Sequence, residues 1–171
     1  MGLMDKLFGR DKAASDAVSS KTITVYAPLQ GAVIPLDKVD DPIFSQGILG
    51  QGCGMEPEGD TVYAPFDGVV SQVVDSKHAI GVTSAGGVEL LIHVGIDTVD
   101  MNGDGFSYLV KPEQTVKMGD PLLTFSAEKI KAAGHPMTTM IVVTNTDAFS
   151  AVDLTAQEHA ASGEALLTLT R

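Results

Sequence analysis

The stretch TVYAPLQGAV, residues 24–33, returns as TVYAPFDGVV at residues 61–70, with Thr, Val, Tyr, Ala, Pro, Gly and the final Val in register. In each copy, Pro ends one strand-like segment, Gly supplies a turn, and a second strand-like segment follows. Two copies favour pseudo-symmetric halves of one domain, because a solenoid needs at least three repeats. We therefore expect a fold of short strands joined by turns.

Similar turn signals recur along the rest of the chain, as in VKMGDPLLTF at residues 116–125. Short helices are expected only at residues 126–133 and 153–161. Candidate strands lie at 22–27, 31–35, 61–64, 68–75, 78–83, 88–94, 107–110, 121–125, 139–144 and 164–170. Many short strands with frequent turns predict an all-β protein, a compact antiparallel β-sandwich or barrel with an internal pseudo-repeat and a few short helices.

Length, charge and cysteine content narrow the class of protein. The 171 residues, 44% of them hydrophobic, suit one domain at 22–171 behind a flexible tail at 1–21. A net charge of -11 argues against a nucleic-acid partner. No apolar run reaches the roughly 20 residues of a membrane span, and no signal peptide is evident, so we expect a cytoplasmic protein. The single cysteine, Cys53, excludes an internal disulfide and a cysteine-based zinc site.

The first ten residues, MGLMDKLFGR, have an amphipathic pattern. On a helix, Leu3, Met4, Leu7 and Phe8 would share one side, which is typical of a short segment that contacts a membrane surface. The alternative is a frayed tail without a role. The first reading predicts peripheral contact with the inner face of the membrane through residues 1–10.

The stretch HAIGVTSAGGVELLIHVG, residues 78–95, carries the chemistry. Two apolar runs flank Ser-Ala-Gly-Gly, which is a hairpin signal. A turn centred on Ala85-Gly86 would place His78 directly opposite His93, with Cβ atoms about 5 Å apart. A loop one residue longer or shorter would put the two histidines on opposite faces.

Two facing imidazoles would repel if both were charged, so at least one should be neutral near pH 7. A neutral imidazole is a nucleophile or a metal ligand. One histidine could then accept a phosphoryl group while the other donates a hydrogen bond to it. Alternatively, the pair could supply half of a zinc shell, or each ring could be an ordinary core histidine.

The segment GVELLIHVGIDTV, residues 87–99, resembles the signature of the glucose-type (type 1) IIA components of the bacterial phosphoenolpyruvate-dependent sugar phosphotransferase system. The segments YAPLQGAV, DPIF, GILGQG, YAPFDGVV, HAI, VKMGDPL and VVTN match as well, over about residues 22–170. The resemblance implies a phosphocarrier within a phosphotransferase system, not a stand-alone enzyme. It would receive a phosphoryl group from the histidine phosphocarrier protein (HPr) and pass it to a cysteine in the IIB domain of a sugar permease.

The resemblance also implies roles for individual residues. His93 matches the histidine that is phosphorylated on Nε2, and His78 matches the second histidine, which supports onward transfer. Gly95 would orient the ring of His93 through its carbonyl. Ser76 stands where relatives have a threonine whose hydroxyl contacts the second histidine.

Both partners would dock around the histidines. Asp41 and Asp97 match acidic residues at the rim, which would face basic residues of HPr. The expected exposed docking patch comprises Ile43, Phe44, Ile48, Leu49, Val74, Ile80, Leu91 and Val99. The resemblance requires no cofactor, although Zn²⁺ bound by His78 and His93 can bridge a regulatory complex in relatives. Unphosphorylated relatives also bind permeases or metabolic enzymes.

Two other functions are alternatives to this one. A zinc-dependent hydrolase would use His78 and His93, but it needs a third ligand, and the only nearby candidates are Asp41 and Asp97. A lipoyl- or biotinyl-like carrier would be modified at Lys129 in SAEKIK. Such carriers place that lysine on an exposed hairpin turn, whereas the sequence here predicts a helix.

Overall fold

A computed structural model describes residues 22–156 and 158–171. The expectations for the tail at 1–21 therefore lie outside the described residues. The strands are β1 Thr22–Tyr26, β2 Gly31–Pro35, β3 Gln51–Pro57, β4 Thr61–Tyr63, β5 Gly68–Val73, β6 Ala79–Ser84, β7 Glu89–His93, β8 Phe106–Tyr108, β9 Thr115–Val116, β10 Pro121–Phe125, β11 Thr139–Val143, β12 Ala151–Leu154, β13 His159–Ala160 and β14 Ala165–Thr170. The α-helices are α1 Pro42–Ser45 and α2 Ala127–Ala132.

The strands form antiparallel sheets, which confirms the predicted all-β sandwich. An eight-stranded sheet has the order β13-β2-β3-β11-β7-β6-β5-β9. Two three-stranded sheets have the orders β1-β14-β12 and β4-β10-β8. Aliphatic side chains from all three sheets join one core, as illustrated by Ile92 of β7, Ile141 of β11, Leu123 of β10 and Leu167 of β14. Burying such a side chain contributes about 1.5–3 kcal/mol.

The two copies of the repeat bond to each other at equivalent positions. The backbone N–H of Tyr26 donates to the carbonyl of Pro65 at 3.0 Å, and that of Tyr63 donates to the carbonyl of Pro28 at 2.7 Å. Each bond thus joins the tyrosine of one copy to the proline of the other. This reciprocity confirms the pseudo-symmetry predicted from the sequence.

Strand β3 was missed by the sequence reasoning, although it lies between β2 and β11 in the eight-stranded sheet. Its segment, QGCGMEP, contains two glycines, which ordinarily weaken a strand. A Cβ on Gly52 would lie 1.9 Å from the carbonyl oxygen of Ile141 on the neighbouring strand. Glycine is needed at this position because β11 approaches so closely.

The helix predicted at residues 153–161 was wrong. The chain forms β12 and β13 there, and β12 pairs with β14 at one edge of a three-stranded sheet. Val152 faces Leu169 in that pairing and packs against the core. Burial against the sheet outweighs the weak helix propensity of a short segment. The helix predicted at 126–133 was confirmed as α2, whose first turn is capped by the Ser126 hydroxyl.

Candidate functional site

His93 ends strand β7, and the turn that follows fixes its ring. The ring Nδ1 lies 2.9 Å from the carbonyl oxygen of Gly95. Because that oxygen can only accept, Nδ1 carries the proton, and the lone pair of the neutral ring lies on Nε2. Gly95 itself has φ +82°, and its N–H donates to the carbonyl of Thr138 at 3.0 Å. The turn therefore presents His93 in one tautomer.

Glycine is required at position 95 for two reasons. Its positive φ is costly for any residue with a side chain. In addition, a Cβ there would lie 2.3 Å from Cγ2 of Thr98. Thr98 is fully buried, and its hydroxyl donates to the carbonyl of Val94 at 2.5 Å. The buried Thr98 hydroxyl thus stabilises the same turn through its bond to the Val94 carbonyl.

The register predicted for the hairpin was wrong by one residue. Ala79, not His78, faces His93, and Thr83 faces Glu89. The loop between β6 and β7 accounts for the difference. Ser84 donates its N–H to the carbonyl of Val88, so the loop contains Ala85, Gly86 and Gly87 instead of the two residues assumed.

The two imidazoles nevertheless meet. Their centroids are 4.6 Å apart, with the rings nearly perpendicular at 84°. His78 comes directly before β6, so the alternation of side chains within the strand does not fix the direction of its ring. His78 and His93 are called the histidine pair below.

Neighbouring side chains hold the histidine pair from several sides. The hydroxyl of Ser76 lies 2.7 Å from Nδ1 of His78. The ring of Phe44, from α1, is centred 5.0 Å from that of His93, and the ring of Phe106, from β8, is 6.5 Å from that of His78. The sequence reasoning did not single out Phe106. The only available signal was an aromatic residue at the start of a short strand.

Burial favours the neutral form of both rings. The pKa of His93 is lowered from 6.5 to about 4, mainly by desolvation and to a smaller extent by repulsion from the nearby His78. The bond to the Gly95 carbonyl acts in the opposite direction but is weaker. Desolvation also lowers the pKa of His78. At pH 7 His93 is therefore a neutral base with a free lone pair on Nε2.

The expected docking patch is only partly exposed. Its exposed members are Ile43, Ile48, Leu49 and Val99, and Ile48 is the most open at 67%. Val74 and Leu91 are half-buried. Ile43 follows the start of α1, whose Phe44 contacts His93, and Val99 lies in the short 3-10 turn after Gly95.

Two residues expected in that patch are buried. Phe44 is 4% exposed and Ile80 is 0% exposed, so neither offers a surface to a partner. Phe44 packs in a small cluster beneath α1, and Ile80 belongs to the main core. Their sequence patterns could not distinguish an apolar surface from an apolar interior.

The two acidic residues have different surroundings. Asp41 is half-buried and caps α1, because its carboxylate accepts from the N–H of Ile43 at 3.1 Å. Asp97 is exposed, in a left-handed conformation with φ +63°. It lies two residues after Gly95 in the turn that follows His93.

The donor set at the histidine pair is small. Within residues 22–156 and 158–171, no group of three His, Cys, Asp or Glu side chains is placed to hold a metal ion. A zinc ion bound by His78 and His93 would need its remaining ligands from water or from another protein. A hydrolytic zinc centre of three protein ligands does not fit these residues.

Lys129, the residue considered for a carrier function, lies within α2 and not on a hairpin turn. Its ammonium group forms an ion pair with Asp104 at 2.7 Å.

The single cysteine, Cys53, is buried in β3, and burial raises the pKa of its thiol to about 12. In the part of the chain that the structure describes, no helix is long and apolar enough to span a membrane.

Comparison with known proteins shows which family the chain resembles over most of its length. Residues 23–149 match the family model of the phosphoenolpyruvate-dependent sugar phosphotransferase system, EIIA 1. A glucose-specific EIIA component of Halalkalibacterium halodurans is 39% identical, over 96% of both chains. A glucose-specific EIIBCA component of Corynebacterium glutamicum is 44% identical over 78% of this chain, which matches 20% of that longer protein. The solved glucose permease IIA of Mycoplasma capricolum superposes with a TM-score of 0.83 at 29% identity, covering 90% of this chain and 99% of that one.

Proposed function

Because the chain belongs to the EIIA type 1 family of the sugar phosphotransferase system, we propose that His93 is the residue that carries the phosphoryl group. The donor is the histidine phosphocarrier protein, and the acceptor is a cysteine in the IIB domain of a sugar permease. The observation that carries the proposal is the bond from Nδ1 of His93 to the Gly95 carbonyl. It leaves the nucleophilic lone pair on Nε2, beside the second imidazole.

The chemistry of the first step follows from this tautomer. Nε2 of His93 attacks the phosphorus of the donor's phosphohistidine, a new P–N bond forms, and the P–N bond to the donor breaks with its electron pair returning to the donor ring. Attack places positive charge on the ring of His93. The Nδ1–H bond to the Gly95 carbonyl disperses this charge, so the same contact orients the nucleophile and stabilises the product.

His78 donates a hydrogen bond to the phosphoryl oxygens. When Ser76 donates its hydroxyl proton to Nδ1 of His78, the proton of the neutral ring lies on Nε2. That N–H can then bond a phosphoryl oxygen held on the adjacent ring. In the second step a cysteine thiolate attacks the phosphorus, the P–N bond breaks, and the electron pair returns to Nε2 of His93.

Docking would use the exposed apolar residues of α1, of the segment after α1 and of the turn after His93. Ile43, Ile48, Leu49 and Val99 would meet an apolar face of either partner, and Asp97 would meet its basic residues. The name EIIBCA given to the relative from Corynebacterium glutamicum indicates that its A part is joined to B and C parts. This supports a permease as the acceptor.

A reconstituted relay tests the proposal. The protein is mixed with phosphoenolpyruvate, the general phosphotransfer enzyme and the histidine phosphocarrier, and intact mass and acid lability are measured. We expect one acid-labile phosphoryl group on wild type and on the control His159→Gln, which changes an exposed histidine. His93→Gln should carry none. His78→Gln should be phosphorylated but stall in transfer to a IIB domain, and phosphorylation of His93→Gln would refute the assignment.

A further inference from the structure

The loop between β5 and β6 carries both Ser76 and His78, and one side chain outside the loop joins its two ends. That side chain is Tyr108, the last residue of β8. Its hydroxyl accepts a hydrogen bond from the N–H of Val74 at 3.0 Å and donates one to the carbonyl of Ala79. The sequence reasoning gave Tyr108 no role.

The position of this hydroxyl is informative. Val73 and Ile80 form the last residue pair of the β5–β6 ladder, so Val74 and Ala79 are the next two residues to face each other. A direct bond from the N–H of Val74 to the carbonyl of Ala79 would continue the ladder. The Tyr108 hydroxyl bonds both groups, and the strands end at this point.

The rest of the loop has few other restraints. A turn bond joins the N–H of Lys77 to the carbonyl of Val74 at 3.0 Å, and Lys77 takes a left-handed conformation with φ +58°. The carbonyl of His78 accepts from the N–H of Val94 at 2.8 Å, which ties the loop to β7. Tyr108 supplies the corresponding tie on the side of β5.

We propose that Tyr108 is a positioning residue for phosphoryl transfer, and that its hydroxyl holds the Val74–Ala79 loop so that Ser76 and His78 stay aligned with His93. This inference rests on the proposed function. It assigns to Tyr108 no contact with the phosphoryl group. Its effect passes through His78, which serves the onward step, and not through the nucleophile.

Tyr108→Phe removes the hydroxyl and keeps the ring, which packs against the core. The matched control is Tyr63→Phe, because the Tyr63 hydroxyl makes no hydrogen bond within the described part of the chain. We expect Tyr108→Phe to be phosphorylated to completion on His93 but to transfer to a IIB domain about three- to tenfold more slowly, in kcat and not in KM. In a His78→Gln background, Tyr108→Phe should cause no further slowing.

Two measurements test the positioning without any phosphotransfer. Nitrogen-15 NMR of the histidine rings should show one tautomer of His78 in wild type and in Tyr63→Phe, and a mixture or broadened signals in Tyr108→Phe. The Val74 amide of the wild type should exchange with solvent more slowly than that of Asp75. Unchanged ring signals in Tyr108→Phe, or an unprotected Val74 amide in wild type, would each overturn the inference. These readouts remain decisive if the relay assay itself fails.

Discussion

Acidification should destabilise the protein through His93, and the size of the effect follows from its burial. The pKa of His93 is about 4 in the folded protein, whereas a histidine in the unfolded chain has the ordinary value of 6.5. Between these values the unfolded chain binds a proton that the folded ring does not. The free energy of unfolding therefore falls as the pH is lowered from 6.5 to 4. This difference in pKa corresponds to about 3 kcal/mol at pH 4.

Urea denaturation at pH 7, 6, 5 and 4 measures the effect in wild type, His93→Gln and the control His159→Gln. Glutamine does not titrate, so His93→Gln should lose about 3 kcal/mol less than wild type over this range. His159→Gln should retain the His93 contribution in full. Carboxylates titrate in all three proteins, so only the difference between the curves is diagnostic. Parallel curves for wild type and His93→Gln would refute the argument that burial keeps His93 neutral.

Three further substitutions test the turn, the loop and the surface. Gly95→Ala should lower the free energy of unfolding on the order of 2 kcal/mol in urea denaturation, since its φ is positive and its Cβ would meet Thr98 at 2.3 Å. Ser76→Ala should slow transfer to a IIB domain about three- to tenfold in single-turnover kinetics, while Ser76→Thr keeps the wild-type rate. Ile48→Asp should weaken binding of the histidine phosphocarrier about tenfold by calorimetry, whereas Val69→Asp, on the exposed side of β5, should not.

Each of these has a contrary outcome. A Gly95→Ala variant as stable as wild type would mean that the turn after His93 relaxes freely. Equal rates of transfer to a IIB domain for Ser76→Ala and wild type would show that the Ser76 hydroxyl takes no part in the transfer. If Ile48→Asp and Val69→Asp bound the phosphocarrier equally well, the partner would dock on another face.

The sequence was sufficient for the fold class, but the hairpin register from which it placed the two histidines together was wrong by one residue. The repeat and its turns predicted an all-β protein because the Pro and Gly of each copy lie at the turn between two short strands. The hairpin register depended on loop length, and Ser-Ala-Gly-Gly is compatible with a two-residue or a three-residue loop. The histidines meet only because His78 lies outside the strand.

Features that depend on distant contacts were not predictable. Gly52 weakens the strand pattern of β3, yet it is there to admit the backbone of Ile141. The sequence patterns around Phe44 and Ile80 are compatible with either a surface or a core position. Both residues are buried because other elements of the fold cover them. The role inferred for Tyr108 depends on two backbone groups far from it in sequence.

Because Cys53 is buried, the folded protein should not react with thiol reagents. It is the only cysteine in the chain, it is enclosed in β3, and its raised pKa keeps the reactive thiolate negligible at neutral pH. In a mixture with a permease domain, every thiol that a colorimetric reagent titrates therefore belongs to the acceptor. Under the proposed function, loss of that titre would count the phosphoryl groups delivered to the acceptor cysteine, without any radioactive label.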